Sequence, residues 1–368
     1  MPLLLTDYAE DGGDSGSDWV PLDKLLITDP GTVSSYHSDA SSSLLLKLIS
    51  ERYAGRATAL AAGRSLQPVP AEGTLYVTQK EVAFVSPRLS PGLERLGSDA
   101  ATTCHMLVLR EPVSGLTALA HLDESDPAGA IRFLARRFGD RLTHEVTTRN
   151  APDIAAKETP VPLLPIQVHL VGGFLDDRGI SEGLAVDLIR ELNRLDQLTL
   201  RLETASVHRL NDESPSGDSG SHRPILGGLV CHLRTGQISP ASEFVDRGPE
   251  EPLRHTYCMF ASTRDVNRIY DDGDPNFGPH RICFRPFRVT SWMHTDRLKA
   301  AVKFNDQEIL QYFSTSPQVE PVHFPSTLRS AFQFLLDNFN QFSEKVFPGN
   351  RPKCYRLNEL KQWVSELN

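Results

Sequence analysis

The chain has 368 residues, of which 39% are hydrophobic and 23% are charged. This length predicts one large domain or two, with a core that needs no disulfide or metal ion. With 38 Lys and Arg against 47 Asp and Glu, the net charge is −9, which argues against a sequence-independent nucleic-acid binder and against docking on anionic lipid. The sequence has no membrane-length apolar run and no signal-peptide pattern, so we expect a cytoplasmic protein that can also be nuclear.

The cysteines are few and far apart. The five are Cys104, Cys231, Cys258, Cys283 and Cys354, and none forms a CxxC pair. This spacing argues against a thioredoxin-like redox site and against a zinc ribbon. In a reducing compartment we expect most of them to be small buried hydrophobic residues, and the open question is whether one is a nucleophile.

The N-terminal part is predicted to be a segment that packs on a larger domain. Residues 7–18 are acidic and rich in Gly and Ser, which is typical of a flexible loop. Leucines at helical spacing predict a helix over residues 41–62. We place the boundary so that residues 1–72 form the N-terminal segment and residues 73–368 form the main domain.

The main domain mixes short apolar runs with helical periodicity, which predicts an α+β layered fold. The segments Thr74–Val77 and Val82–Val85 are predicted to pair as a hairpin, and Ser181 is predicted to cap a helix. Residues 211–223 are predicted to form a polar loop. The predicted strands are 74–77, 82–85, 102–109, 116–121, 166–171, 198–208, 225–233, 266–271 and 281–289. The predicted helices are 128–138, 181–195, 305–313 and 325–340.

Several short motifs suggest other chemistries but lack the context that those chemistries need. Two GDSG tetrapeptides, at 13–16 and 217–220, resemble the nucleophile region of trypsin-like proteases but lie in low-complexity loops. Gly172-Gly173 follows a strand but lacks the third glycine of a dinucleotide-binding turn. The 12 histidines form no HExxH motif, so we expect no metal ion and no cofactor.

A predicted hairpin brings a cysteine and a histidine together. With the turn centred between Pro112 and Val113, Cys104 lies directly opposite His121. The Cβ atoms of such a pair are about 4.5–5.5 Å apart on one face of the sheet. If the turn shifts by one residue, the pair becomes diagonal but stays on the same face. His105 should point to the opposite face, since successive strand residues alternate.

A thiol beside an imidazole can carry out nucleophilic catalysis. A free thiol with a pKa of ~8.5 is mostly protonated at neutral pH, and a neighbouring imidazolium lowers that pKa. The histidine can then protonate a leaving amine. Ser98, six residues before Cys104, is placed to orient the His121 ring. The alternative is a structural cysteine opposite a histidine that only packs.

At these residues the chain resembles the eukaryotic protein N-terminal asparagine amidohydrolases. The similarity extends over nearly the whole chain in the expected order. The matching stretches are MPLLL (1–5), LYVTQKE (75–81), LGSDAATTCHMLVLR (96–110), LAHLDES (119–125), VHLVGGFLDDR (168–178), DRGPEEPLR (246–254) and STSPQVEPVHF (314–324). One departure is Ala100, at a position that is often polar or charged in the family.

The resemblance implies a fold, a triad and a reaction. The family is similar to toxin-type and chemotaxis-type cysteine deamidases, which have an α-β-β sandwich. The implied roles are Cys104 as nucleophile, His121 as acid and base, and Ser98 as orienting residue. The implied reaction hydrolyses the side-chain amide of an N-terminal asparagine to aspartate and ammonia. The aspartate is then arginylated in the Arg/N-degron route, so the implied partners are proteins with N-terminal Asn and components of the arginyltransferase pathway.

The substrate's α-ammonium group should meet a carboxylate. Asp99 and Glu320 are the candidates, and the alternative is that both are ordinary loop acids. Thr103, next to the cysteine, is a third candidate for substrate binding. Two other functions stay open: a related cysteine deamidase that acts on internal Gln or Asn, and a non-catalytic adaptor that retains the fold.

Overall fold

The structure is a computed structural model that describes residues 2–6, 19–26, 39–65, 67–149, 164–213, 221–278, 280–290 and 294–366. Its strands are β1 (Leu4–Thr6), β2 (Trp19–Pro21), β3 (Thr74–Tyr76), β4 (Glu81–Val85), β5 (Arg95–Ser98), β6 (His105–Arg110), β7 (Thr117–Leu122), β8 (Ile166–Gly172), β9 (Leu200–Val207), β10 (Asp212–Glu213), β11 (Arg223–Pro224), β12 (Leu229–His232), β13 (Ile238–Pro240), β14 (Asn267–Asp271), β15 (Arg281–Phe284), β16 (Lys353–Leu357) and β17 (Trp363–Ser365). Its α-helices are α1 (Leu22–Leu26), α2 (Asp39–Ala62), α3 (Pro127–Arg149), α4 (Ile180–Asn193), α5 (Glu251–Phe260), α6 (Thr295–Ala301), α7 (Asp306–Phe313), α8 (Phe324–Asn338) and α9 (Phe342–Val346).

A mixed sheet of eight strands lies at the centre, in the order β14-β4-β7-β6-β8-β9-β1-β2. Strand β6 is antiparallel to both of its neighbours, β7 and β8. All six residues of β6 are buried, because both faces of the sheet are covered. The residues that precede β6 and end β7 are therefore held on a rigid scaffold.

Helices cover one face of this sheet and a second sheet covers much of the other. Leu107 and Leu109 belong to one buried cluster with residues of α2, α3 and α4. The alternate residues Met106 and Val108 belong to a second buried cluster with residues of the four-stranded sheet β13-β12-β5-β3 and of α5 and α8. This alternation follows from the two-residue repeat of a strand. The structure thus has a layer of helices, the large sheet, and a layer that contains the smaller sheet.

The hairpin predicted for the first two strands of the main domain is wrong. Strand β3 pairs in parallel with β5 in the smaller sheet, whereas β4 pairs with β7 and β14 in the large sheet. Between them the chain turns at Lys80, whose φ is 61°, and it crosses from one sheet to the other. Apolar periodicity located both strands but carried no information on their partners.

The predicted cap of α4 is also wrong. The helix begins at Ile180, after Gly179 in the left-handed conformation, and Ser181 lies inside the first turn. The carboxylate of Asp176 accepts hydrogen bonds from the backbone N–H groups of Ile180 and Ser181, at 3.1 and 2.8 Å. Asp176 therefore supplies the capping interaction that the sequence assigned to Ser181.

Two of the five cysteines form a disulfide, which the sequence analysis did not predict. Cys283 on β15 and Cys354 on β16 are bonded and lie directly opposite each other in the ladder. Cys104, Cys231 and Cys258 are free, and the first two are buried. A directly opposed antiparallel pair brings two Cβ atoms close enough for this bond.

The N-terminal residues pack into the fold. Leu3 and Leu5 are fully buried, and β1 joins the large sheet beside β9. The predicted acidic loop at 7–18 and residues 214–220 of the predicted polar loop lie outside the described residues. Of the helices in the described ranges, none combines the length and the hydropathy that a membrane crossing needs.

Candidate active site

The three predicted catalytic residues come from adjoining elements. Cys104 directly precedes β6, His121 lies on β7 and Ser98 ends β5. In the ladder, His121 pairs with Met106 rather than with Cys104. The turn is therefore centred one residue later than expected, and Cys104 is the diagonal neighbour of His121 on the same face.

The His121 ring is oriented by a hydrogen bond at one nitrogen. Ser98 Oγ lies 2.8 Å from His121 Nδ1. The other nitrogen, Nε2, is buried and has no hydrogen-bond partner among the described residues. A proton on Nδ1 that is donated to Ser98 would leave Nε2 as a free acceptor. The side-chain pair thus has the geometry that orients a catalytic base.

His105 points away from this pair, as the strand alternation predicts. Its ring lies on the helix side of the sheet, beside Gly173 and Ser181. The N–H group of Gly173 donates a 2.9 Å hydrogen bond to the carbonyl of Cys104. Gly173 has a φ of +64°, and a Cβ there would lie 2.6 Å from His105 Cε1. The Gly172-Gly173 pair therefore allows a close approach to the backbone of Cys104, in place of the cofactor contact considered above.

Cys104 and His121 line one cavity of about 230 Å³. Its volume is below the roughly 300–1,000 Å³ of sites that take drug-sized molecules, so it suits one or two amino-acid residues. Its walls have three kinds of surface. The acidic residues are Asp99, Asp123, Glu124, Glu251 and Glu320; the basic or ionisable ones are Arg247, His255 and His323; the apolar ones include Met259, Phe313, Phe324 and Leu328.

All three predicted substrate-binding residues lie at this cavity. Asp99 accepts hydrogen bonds of 2.7 Å from both Tyr76 and Arg247, so its charge is already neutralised by a cation. Glu320 accepts a 2.5 Å hydrogen bond from Ser314 Oγ. Its partners are hydroxyl groups and include no cation among the described residues. Thr103 Oγ1 lies 2.9 Å from Thr315 Oγ1, which ties the loop before Cys104 to the segment that carries Glu320.

Burial shifts the pKa values of three ionisable groups in the site. It raises the pKa of the Cys104 thiol well above its usual range, and the nearby carboxylate of Asp123 acts in the same direction. Burial also lowers the pKa of His121 to about 4, and raises the pKa of Glu320 to about 7. These shifts favour a neutral thiol and a neutral imidazole at pH 7 over a preformed thiolate–imidazolium pair.

Several residues of the site were missed by the sequence analysis. Helix α5 brings His255 and Cys258 to the cavity, and a buried ion pair anchors it, with Arg254 Nη2 2.6 Å from Glu81 Oε2. Arg247 precedes this helix and bonds Asp99. Arg247 lies in the matched stretch 246–254, so that match was the one signal that could have identified it.

The arrangement can perform nucleophilic chemistry on a small polar group. A thiol, a base with a free nitrogen and a hydroxyl that orients the base meet in a cavity with an acidic wall. Among the described residues, no group of three or more His, Cys, Asp or Glu side chains is arranged to bind a metal ion.

The buried histidines should make stability depend on pH. Burial lowers the pKa of His105 to about 3, against about 6.5 in an unfolded chain. Below pH 6.5 the unfolded state binds the extra proton, so the free energy of unfolding should fall by up to about 1.4 kcal/mol per pH unit from this group. We expect His105→Leu to reduce that slope between pH 6 and pH 4, as measured by urea titrations. His294→Leu, at an exposed histidine, is the control for the substitution itself, and an equal change of slope in both variants would contradict the role of His105.

Comparison with known proteins identifies the family of the chain. The family model described as "Protein N-terminal asparagine amidohydrolase" matches residues 64–365. The mouse protein of that name is 34% identical over 302 residues, covering 82% of this chain and 86% of the mouse chain. The Arabidopsis protein of that name is 27% identical over 307 residues, covering 78% and 80% of the two chains. The chain therefore belongs to the protein N-terminal asparagine amidohydrolase family.

Proposed function

We propose that this protein hydrolyses the side-chain amide of an N-terminal asparagine, with Cys104 as nucleophile. The observation that carries the proposal is the cavity that Cys104 and His121 share, with Ser98 bonded to the far side of the His121 ring. Membership of the protein N-terminal asparagine amidohydrolase family supports N-terminal asparagine as the substrate. The layer of helices and two sheets supports the proposed kinship with toxin-type cysteine deamidases.

The reaction proceeds through a thioester. His121 Nε2 takes the thiol proton as Cys104 Sγ attacks the amide carbon, because both groups begin neutral. The backbone N–H of Cys104 has no hydrogen bond to any described residue, so it is available to stabilise the oxyanion. The imidazolium gives its proton to the departing ammonia. A water molecule, deprotonated by His121, then hydrolyses the thioester and releases aspartate.

The product of the proposed reaction is a protein that begins with aspartate. An N-terminal aspartate is the substrate of arginylation, so the proposed partners are proteins that begin with Asn and components of the arginyltransferase pathway. The proposed consequence is degradation through the Arg/N-degron route.

A matched pair of peptides tests the function. One begins with a free Asn, the other is identical but N-acetylated, and the readouts are ammonia release and the change from amide to acid by mass spectrometry. We expect turnover of the free-amine peptide alone. Turnover of both would place the protein among deamidases of internal amides. Turnover of neither, with Cys104 inert to alkylation, would favour a non-catalytic role.

Glu320 is the proposed site of the α-ammonium group. It is a half-buried carboxylate at the cavity that pairs with no cation in the described part of the chain, whereas Asp99 already forms an ion pair with Arg247. We expect Glu320→Gln to raise KM for the Asn peptide about tenfold, equivalent to ~1.4 kcal/mol, with kcat changed much less. Since the pKa of Glu320 is about 7 and that of an α-amino group is about 7.7–8.0, KM in the unaltered protein should fall as the pH rises to about 7 and rise again above about 8.

The control for this prediction is a substrate without the charge. A succinamoyl peptide has the Asn side chain but no α-amine, so Glu320→Gln should leave its KM unchanged. Glu359→Gln removes an exposed carboxylate elsewhere and should leave KM unchanged for both peptides. An equal rise in KM for the two peptides in Glu320→Gln would mean that Glu320 shapes the cavity rather than binding the amine.

A further inference from the structure

A second, larger cavity lies outside the catalytic site. It is an open cleft of about 1040 Å³ between one side of α3, the loop after α4, and residues 262–268 and 285–288. Tyr257 of α5 lines it, whereas His255 and Cys258 of the same helix line the catalytic cavity. The cleft is therefore a separate site that shares one helix with the active site.

The charged residues of this cleft are mostly arginines. Two acidic residues, Asp196 and Asp265, also line it. The chain as a whole has a net charge of −9, so the cleft concentrates charge of the opposite sign. The basic residues that line it, which define the arginine cleft, are Arg132, Arg136, Arg194, Arg268, Arg285 and Arg288.

Three of these six arginines have no carboxylate partner in the part of the chain that the structure describes. Arg132 and Arg194 share Glu191, and Arg268 bonds Asp271 and Asp274. The other three side chains form no ion pair or hydrogen bond with any described residue. These three are Arg136, Arg285 and Arg288.

Arg285 is held in place next to another cation. Its guanidinium lies 5.0 Å from the ring centroid of Phe277, and the guanidinium of Arg268 lies 4.8 Å from the same ring. Phe277 is almost fully buried, so it is a rigid support for both. Burial and the charge of Arg268 lower the pKa of Arg285, and the carboxylates of Asp274 and Asp271 offset this only in part. An anion bound here would relieve this repulsion.

The remaining lining indicates the class of anion. Phe133, Leu195, Val266 and Phe287 supply apolar surface between the arginines. Guanidinium groups bind carboxylates in a bidentate manner, and the apolar surface suits aliphatic or aromatic side chains. A nucleic acid would offer no such side chains, and the net charge of −9 opposes a long polyanion. A short acidic peptide offers carboxylates that pair with the arginines and apolar side chains that pack on the apolar surface.

We propose that the arginine cleft binds an acidic peptide segment of a partner protein, in which Asp or Glu residues flank at least one large apolar side chain. The cleft is open enough to admit an extended segment from the surface. Its position on the other side of α5 lets a partner bind without blocking the catalytic cavity. The proposal does not depend on the amidohydrolase activity.

Fluorescence anisotropy with labelled peptides tests this proposal on the full chain. The probe is a short Asp- and Glu-rich peptide with a central Leu and Phe, and its control has Asn and Gln in place of the acids. We expect saturable binding of the acidic peptide at least about tenfold tighter than that of the control, and weakening as salt rises. Replacing the Leu and Phe by Ser should also weaken binding. Equal affinity for the acidic and neutral peptides would overturn the proposal.

Paired variants locate the binding. Arg136→Gln/Arg288→Gln removes two exposed arginines of the cleft, and Arg64→Gln/Arg351→Gln removes two exposed arginines elsewhere. Only the first pair should lose peptide affinity, and both should turn over the Asn peptide normally. Equal loss in the two pairs would contradict a localised site. Displacement of the peptide by a single-stranded oligonucleotide of equal charge at lower concentration would assign the cleft to nucleic acid instead.

Discussion

Replacing Cys104 by alanine is expected to abolish turnover of a peptide with N-terminal Asn. The substitution removes the only proposed nucleophile, and the remaining groups can assist only a direct attack by water. In other hydrolases the loss of the nucleophile lowers kcat by about 10⁴-fold or more. Cys104 lies in the wall of the cavity and is 7% exposed, so the loss of one sulfur atom should lower the thermal midpoint by only a few degrees.

A second cysteine provides the matched control for this experiment. Cys231 on β12 is fully buried and does not line the catalytic cavity. Cys231→Ala should therefore lower stability at least as much as Cys104→Ala, while turnover stays close to that of the unaltered protein. Ammonia release gives the activity and circular dichroism melting gives the stability. Substantial turnover by a folded Cys104→Ala protein would exclude the thioester mechanism.

The hairpin that carries the site could be predicted closely, and the one-residue error has a physical cause. Glu111 organises the turn, since its side chain accepts a 2.9 Å hydrogen bond from the N–H of Val113. Its backbone carbonyl accepts one from Gly115. These bonds centre the turn after Val113, and such side-chain contacts cannot be derived from the apolar pattern. Each side chain still lies on the predicted face of the sheet, although the turn is shifted by one residue. The face depends only on whether the residue number is odd or even, and the shift moves each partner by two residues.

The parts of the site that could not be predicted come from distant segments. Ser98 is placed by the pairing of β5 with β12, which begins more than a hundred residues later. Arg247 reaches Asp99 across 148 residues of sequence. Local periodicity predicts the strands and helices themselves but not which of them pair. The matched stretches indicated that these segments belonged together, and the structure adds which atoms meet.

Removing the His121 imidazole is expected to cost almost as much activity as removing Cys104. His121 Nε2 is the proposed acceptor of the thiol proton and the donor to ammonia, so His121→Ala eliminates both transfers. In the unaltered protein the pKa of His121 is about 4. Since the base acts only when neutral, kcat/KM should fall as the pH decreases through about 4. Added imidazole should restore part of the activity of His121→Ala, because a small base can occupy the vacated space.

Ser98→Ala should have a smaller effect, because it removes only the hydrogen bond at Nδ1. Residues that orient the histidine ligands of metal ions typically contribute roughly 10- to 100-fold in activity, and we expect a loss of that order for the orienting bond of Ser98. Ser98→Thr retains the hydroxyl and should recover most of the loss if the added methyl group fits beside β12. The serine bond also selects the tautomer, so Ser98→Ala should lower kcat more than it raises KM. If Ser98→Ala instead matched His121→Ala, the hydroxyl would have to act on the reacting atoms rather than on the ring.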